Sequence, residues 1–409
     1  MRGGFPNLRH IRVFLETART GSVTLAADLC HLSQPAATQA ITRLEKDVGT
    51  SLLKRDRRQA VLNNCGELFA KRAQRALSHL KDGSYVALKT GGGKTQIKSD
   101  FDKLVTASQL RNLIAIANTG SFSVAANALG LSQPTVHRTA RSLEAVAGLP
   151  FFAASPSGVQ LTAAAEAFVI RAKLAETELR QGLEEISHEL GHDCGNFVLG
   201  SLPLARTTIV PKAIHSMVSQ VSGFQIRVLE GRYSGLLRSL REGDLDCLIG
   251  ALRNPAPADD VEQEFLFQDA LAVVAHPSHP LAKSRGLTLT LEDTLDFPWI
   301  APPKETPAGQ FLFEKLRIQD RPETPVRVVS SSLAVLRGVL AQGNYVSIVS
   351  RHQVHVDAQL GSIIPLNIRL SGHKRNIGLT FRRNWTPTKT QQQFIDFLRQ
   401  QAKLNETPC

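Results

Sequence analysis

The chain has 409 residues, 42% of them hydrophobic and 21% charged, which is too long for one ordinary domain and too apolar for extended disorder. A formal charge of +12 and a sequence pI near 9.7 favour an anionic partner, either nucleic acid or an acidic membrane surface. Residues 1–6 lack the apolar core of a secretion signal, and no stretch reaches the roughly 18 uninterrupted apolar residues of a membrane span, so a cytoplasmic location is expected.

In chain order, Ile11, Phe14, Leu15 and Ala18 recur at helical spacing and predict a first helix. Thr20-Gly21-Ser22 ends it, with Ser22 placed to cap a second helix that contains Ala26, Ala27 and Leu29. Ser33 caps a third helix, Pro35 stands near its start, and Ile41 and Leu44 carry its apolar side. Two short helices, a tight turn and a third helix with a polar outer face describe a helix-turn-helix. Residues 52–62 then predict two short strands around a basic turn, a wing, and from Asn64 to Lys81 the helical pattern returns.

The same grammar recurs at a constant offset of 99 residues. Thr20-Gly21-Ser22 returns as Thr119-Gly120-Ser121, and Ala26-Ala27 as Ala125-Ala126. Leu32-Ser33-Gln34-Pro35 returns as Leu131-Ser132-Gln133-Pro134, and Leu44-Glu45 as Leu143-Glu144. Two distant copies without gaps predict a repeated domain rather than a solenoid.

The first copy resembles the N-terminal domain of LysR-type transcriptional regulators. The matching residues are Phe14, Gly21-Ser22, Ala26-Ala27, Leu32-Ser33-Gln34-Pro35-Ala36, Gln39-Ala40-Ile41, Leu44-Glu45, Gly49, Leu53-Lys54-Arg55 and Gly66. That family carries one such module, a long linker helix and an effector domain, so two modules are a departure. The resemblance implies double-stranded DNA as partner, with Gln34, Thr38 and Gln39 at base edges and Ser33 and the wing arginines on phosphates. Pro35 and Arg43 complete the expected contact face. RNA polymerase is a further partner that the resemblance implies.

Charge separates the copies. Residues 1–82 hold 14 Lys and Arg against 7 Asp and Glu; residues 107–194 hold 6 against 8. Phosphate contacts dominate affinity for DNA, and the first wing carries Lys54, Arg55, Arg57 and Arg58 where the second has residues 153–158 without a basic side chain. The first copy (1–82) is therefore expected to be the main reader. The second (107–160) is expected to be weakened, although His137, Arg138 and Arg141 lie on its third helix.

Between the copies, residues 83–106 include Gly91-Gly92-Gly93 and predict a flexible, mildly basic tether. Residues 161–192 predict a long helix in which Leu179, Leu183, Ile186 and Leu190 form a stripe. Such a stripe suits the linker helix of a second subunit, giving a homodimer or homotetramer, or else packs on its own chain.

From residue 195 onward, strands and helices alternate. Strands at 197–201, 225–229 and 245–250 with helices between them predict a parallel sheet, and further strands are expected at 271–274, 326–329, 346–349 and 377–380. Glu230-Gly231, residues 240–246, His279-Pro280-Leu281-Ala282 and Gly338-Val339-Leu340 resemble the LysR-type effector domain. This implies two lobes with the fold of type 2 periplasmic binding proteins over 195–409. The expected class is thus α/β plus all-α: two winged helix-turn-helix modules, a linker helix and a two-lobed effector domain.

Ligands of such folds lie beyond strand ends, near helix N-termini. The candidates there are Ser201, Leu202, Arg206, Thr207, Ser234, Gly250, Arg253 and Ser331. Arg206 and Arg253 suit an anion but equally suit ordinary surface. A small organic acid or sugar is the expected effector. Residues 375–380 and 385–388 resemble a subgroup that includes sugar-responsive members.

Three rival readings were weighed. No GxSxG, P-loop, HExxH or dinucleotide fingerprint is present, and His276 and His279 read as structural, so no catalytic residue is assigned. A cytosolic small-molecule-binding protein accounts for the C-terminal half alone. An architectural DNA binder would not need a two-lobed cleft. Five cysteines form no CxxC pair and no metal-spaced set with histidine, so no metal or cofactor is expected. Cys30 and Cys247 are expected in the core.

Overall fold

The computed structural model describes residues 5–54, 59–92, 100–156, 158–192, 194–283, 288–317, 325–370 and 374–404. Helices α1 (Leu8–Thr20), α2 (Val23–Leu29) and α3 (Gln34–Val48) start at Asn7, Ser22 and Ser33, whose side chains accept from Arg9, Leu25 and Ala36 N–H. Each cap satisfies a donor that the helix cannot satisfy itself. Apolar positions at helical spacing put Val13, Ala27, Ala37 and Ile41 inside the triplet. Among the described residues, an antiparallel bridge from Leu53 to Leu62 closes the base of the expected wing. Helix α4 (Asn64–Thr90) follows, capped by Asn63.

Helices α5 (Ala107–Thr119), α6 (Phe122–Leu129) and α7 (Gln133–Ala147), the hairpin β1 (Phe152–Ser155) with β2 (Gly158–Leu161), and α8 (Ala163–Glu189) come next. Helices α5 to α8 each begin 99 residues after α1 to α4 respectively.

Helices α4 and α8 have 27 residues each, about 40 Å at ~1.5 Å per residue, and lie side by side in opposite directions. At one end Asn64 donates to Glu189 at 3.1 Å; at the other, Gly91 abuts Ala164. Phe69, Ala73, Ala76 and Leu80 of α4 share one core with Phe168, Ala172, Ala175 and Leu179 of α8. Small side chains on both helices bring the axes close, and the fully buried Phe69 and Phe168 each contribute on the order of 2 kcal/mol by leaving water.

The tether was expected to begin at residue 83, but α4 continues to Thr90 because Gly83, Ser84 and Ala87 are buried, a role that needs the partner helix to be seen. Further along, Phe101 is fully buried against Phe151 and Phe168, with ring centroids at 6.4 and 5.0 Å, and the Arg12 guanidinium donates to the Asp102 carbonyl at 2.7 Å. The connector's end is thus fastened to both triplets. Residues 93–99 lie outside the described set. Of the two alternatives for the leucine stripe, packing on its own chain is the one seen. Leu179, Leu183 and Ile186 pack into the core they share with α4 of the same chain, while Leu190, past the helix end, is 48% exposed.

The C-terminal part forms two lobes from β3 (Gly195–Ser201), α9 (Ile209–Val218), β4 (Phe224–Leu229), α10 (Tyr233–Glu242), β5 (Cys247–Ala251), β6 (Val261–Ala275), α11 (Pro280–Lys283), β7 (Trp299–Ala301), α12 (Pro307–Leu316), β8 (Val326–Val329), α13 (Leu333–Leu340), β9 (Val346–Ser350), α14 (His355–Gln359), β10 (Ile364–Pro365), β11 (Lys374–Arg382) and α15 (Lys389–Leu404). The strand order is β4-β3-β5-β11-β6-β9-β7-β8, with β10 on β6. Strand β3 is parallel to β4 and β5, as the alternation predicted. Strand β6 joins the lobes: Val261–Ala270 pair with β11 and Leu271–Ala275 with β9. Only its second half was legible beforehand, because Glu262, Gln263 and Glu264 interrupt the apolar pattern. Helix α15 was not anticipated, although Phe394, Ile395, Leu398 and Ala402 bury a helical face on the first lobe.

Asp269 lies just before the point where β6 changes lobes and is fully buried. It accepts from Ser350 Oγ at 2.7 Å, lies 3.1 Å from His352 Nδ1, and pairs with Arg375. Burial pushes its carboxyl up, but the bonds to His352 and Ser350 and the Arg375 charge outweigh burial and hold it below its ordinary value of 3.8.

The first lobe rests on the helix pair. Arg72 donates to Thr386 O at 2.9 Å, Arg75 to Asn384 O at 2.6 Å, and Lys173 binds Glu242 and Asp244 at 3.1 and 2.8 Å. Arg72 also pairs with Glu178 at 3.0 Å and Glu185 at 2.5 Å, and donates to Gln181.

Replacing Arg72 by Met leaves Glu185 without its cation and Glu178 with Arg75 alone. The expected loss is about 3–5 kcal/mol, read by urea denaturation; a loss near zero would mean that the pairing of Arg72 only offsets the cost of burying it. For Asp269→Asn, the lowered carboxyl gives stability that is complete above its unfolded value and fades as pH falls through the folded one. The melting temperature of the variant should therefore lie below that of the parent at pH 7, with the gap closing below about pH 4. A gap that widened in acid would reverse the sign.

Candidate nucleic-acid interface and ligand cleft

The third helix of each triplet turns a polar face outward. On α3, Ser33, Gln34, Pro35, Thr38, Gln39, Thr42 and Arg43 are exposed, while Ala37, Ala40, Ile41 and Leu44 are buried behind them. Thr38 and Thr42 spend their hydroxyl protons on Gln34 O and Thr38 O within the helix. Gln34, Gln39 and Arg43 keep long polar ends in solvent, which suits bidentate contact with base edges.

On α7 the same places are taken by Gln133, His137, Arg138 and Arg141, all exposed. The His137 ring lies 5.2 Å from Phe122. Arg141 is tied to Glu144 at 2.6 Å, so Arg138 is the better placed cation of this face.

The segment after the third helix is held alike in both triplets. Glu45 Oε1 accepts from Leu52 and Leu53 N–H at 2.8 and 3.3 Å, and Glu144 Oε1 from Phe151 and Phe152 N–H at 2.8 and 3.1 Å. On the return strand, Ala60 N–H donates to Gly21 O and Val159 N–H to Gly120 O, both at 2.9 Å. The repeated Leu-Glu and Thr-Gly-Ser signatures are thus the clamps of the wing. Their recurrence was visible beforehand, but not this purpose. Lys54 is exposed at the wing's start; Arg55, Arg57 and Arg58 lie outside the described residues. The second wing exposes Ala153 and Ala154 instead.

The ligand candidates fall in three places. Ser201, Leu202, Arg206, Thr207 and Gly250 come together at the ends of β3 and β5. Ser201 is buried and donates to Leu202 O, and Arg206 donates to Ser201 O at 2.6 Å and pairs with Glu230 at 2.8 Å. The Leu202 side chain lies 2.4 Å from where a Cβ on Gly250 would sit. Gly250 therefore serves close packing, and its expected open N–H is a sheet donor under a leucine; Arg206, expected free for an anion, is already engaged. Second, Arg253 stacks 4.6 Å over the Tyr233 ring beside exposed Ser234 at the start of α10. Third, Ser331 is exposed on the other lobe beside Ser332, which caps α13. Thr207 crosses between lobes by donating to His352 O at 2.9 Å.

The Asp269, His352, Arg375 and Ser350 group was not anticipated from the sequence; an acid inside the apolar second half of β6 was its signal. An open groove lined by Thr386, Lys389, Gln393 and Asp396 lies beside the helix pair rather than between the lobes. Cys247 is buried as expected, whereas Cys30 ends α2 half-exposed, a correction that follows from its place at the helix cap. His279 is buried against Phe297, centroids 4.4 Å apart. Among the described residues no group of His, Cys, Asp and Glu stands as metal ligands, and no helix is long and apolar enough to cross a membrane.

Residues 191–403 match the LysR substrate binding domain family. The bacterial regulatory helix-turn-helix protein family of lysR type matches at residues 8–67 and again at 107–166. The HTH-type transcriptional regulator GalR of Pseudomonas putida is 32% identical over 377 residues, 92% of either chain. PcaQ of Agrobacterium fabrum is 27% identical over 70% of this chain and 92% of its own. Among solved structures, a full-length OxyR variant from Pseudomonas aeruginosa has a TM-score of 0.53 at 23% identity, over 73% of this chain and 94% of that one. Full-length LysG from Corynebacterium glutamicum with bound effector Arg has 0.51 at 17% identity, over 72% and 97%. These two share the fold. With its helical N-terminal part and its two-lobed C-terminal domain both matched, the chain belongs to the LysR family of DNA-binding transcriptional regulators controlled through a substrate-binding domain.

Proposed function

We propose that the winged helix-turn-helix module is present twice and that the first copy is the principal DNA reader. The observation that carries this is the solvent-facing row Gln34, Thr38, Gln39 and Arg43 on α3, in a segment whose 14 basic residues outnumber its acids twofold. Ser33, Pro35 and Lys54 flank that row, and Arg55, Arg57 and Arg58 of the wing add phosphate contacts in this reading. The second copy, with His137 and Arg138 outward but a wing without basic side chains, supplies weaker grip. Residues 1–82 and 107–160 are then the two modules, 161–192 the linker helix and 195–409 the effector domain, with the helical part of 83–106 added to the first linker.

The effector is a small organic acid or sugar held between the lobes. Arg253 and Ser234 at the α10 N-terminus and Ser331 at the α13 N-terminus support this, since exposed N–H groups, hydroxyls and a cation suit a carboxylate. LysG, which shares the fold, is solved with bound effector Arg.

In filter binding, Arg57→Ala/Arg58→Ala should lower the slope of log affinity against log salt by about two units, and Arg138→Ala/Arg141→Ala by less. Equal losses would remove the asymmetry. A thermal-shift panel of mono- and dicarboxylates and monosaccharides should contain a compound that raises the melting temperature by several degrees, since saturation a hundredfold above Kd adds about 2.7 kcal/mol. Arg253→Ala should abolish that rise; a rise that survives it would move the site elsewhere.

A further inference from the structure

Helices α4 and α8 meet through contacts that come in matched pairs. A Cβ on Gly83 would lie 2.7 Å from Arg171 Cβ and 3.1 Å from the Phe168 ring; a Cβ on Gly182 would lie 3.0 Å from Arg72 Cβ and 3.5 Å from the Phe69 ring. Gly83 and Gly182 are 99 residues apart, as are Arg72 and Arg171, and Phe69 and Phe168. Gly83 thus meets residues 168 and 171 while Gly182 meets residues 69 and 72, the same contacts with the two helices exchanged. This is the signature of an isologous contact about a two-fold axis, the arrangement otherwise made by two identical subunits. Here both halves are in one polypeptide.

We infer that a single chain presents α3 and α7 as a two-fold related pair and binds an inverted pair of DNA half-sites with unlike sequences. This rests on the DNA-binding reading above. Three observations carry it. The helical seam that would take a second subunit is filled by the chain's own α4 and α8. The two triplets, both linker helices and the connector residue Phe101 share one continuous apolar core, and the Arg12 bond to Asp102 ties the connector to α1, so the readers are fixed relative to one another. Finally, the faces differ in chemistry. Thr38, Gln39, Thr42 and Arg43 correspond to His137, Arg138, Arg141 and Ser142. Gln suits adenine, whereas Arg suits guanine, so identical half-sites cannot satisfy both faces.

Two-fold symmetry in the backbone with asymmetry in the side chains predicts an operator whose halves are inverted in direction but not in sequence. The orientation of the chain on that operator is then defined, which a symmetric dimer cannot achieve through its readers. Association of further copies through other surfaces leaves this unaffected, because both faces belong to one chain.

The test is selection of duplexes with a randomised window by the full chain, then selection by two variants, Gln39→Ala/Arg43→Ala and His137→Ala/Arg138→Ala. All four positions are exposed, and unchanged thermal melts establish that both variants fold. The expected consensus has two inverted, unlike halves. The α3 variant should lose preference, by about tenfold, in one half, and the α7 variant in the other half alone. Two like halves that both degrade in the α3 variant, or a single half-site, would overturn the inference while leaving DNA binding by α3 intact. Absence of any enriched sequence would remove both readings.

Discussion

The close antiparallel crossing of α4 and α8 holds the molecule together. Gly83 and Gly182 sit where the opposite helix leaves no room for a Cβ. Glycine inside a helix costs about 1 kcal/mol relative to alanine, so its presence in the C-terminal half of both helices, well before their ends, runs against local propensity. The loss is offset by approach of the two backbones, which lets Phe69, Phe168 and the alanines on both helices exclude water. Each triplet is small, and neither triplet's apolar side is covered without this seam. The connector residue Phe101 and the leucine stripe of α8 gain their place from it.

The seam also carries polar groups. Arg72 is buried with two glutamates and a glutamine, and the same guanidinium reaches the Thr386 carbonyl of the effector domain. Its counterpart Arg171 faces His79 rather than an acid, and burial holds that histidine below its ordinary pKa. Near the centre of the crossing, Glu176 is pushed up by burial. The apolar skeleton of the seam repeats, whereas its charges do not, and the effector domain sits on the side where the ion pairs are. Contacts from Arg72, Arg75 and Lys173 to residues 384–386 and 242–244 fasten the first lobe to the helix pair.

Between the lobes, the constraint is different. Strand β6 passes through both sheets without a break, and Asp269 is placed just before the transition with partners from β9, β11 and the turn after β9. Arg375 and His352 approach from separate segments, so movement of one lobe against the other changes the surroundings of a buried charge. Thr207 adds a bond across the gap. The ligand candidates at Arg253 and Ser331 stand on either side of this hinge.

Much of this was legible from residues alone. Caps such as Ser22 and Ser33, the 99-residue offset and the alternating apolar periods are local signals, and each specifies a backbone element through its own hydrogen bonds or through one buried face. The outward row on α3 follows directly, since a helix period assigns Ala37 and Ile41 inward and Gln34 and Gln39 outward. What tertiary structure alone decided was which surfaces meet. A stripe of Leu179, Leu183 and Ile186 specifies that a partner exists without saying which chain supplies it. Gly83, Ser84 and Ala87 read as a weak helix and a loose tether until α8 is laid against them. Arg206 and Gly250 looked open because their covering groups, Glu230 and Leu202, reach them only through the fold. Helix and strand periods report on neighbours a few residues away, whereas contacts made across a hundred residues leave no period to read.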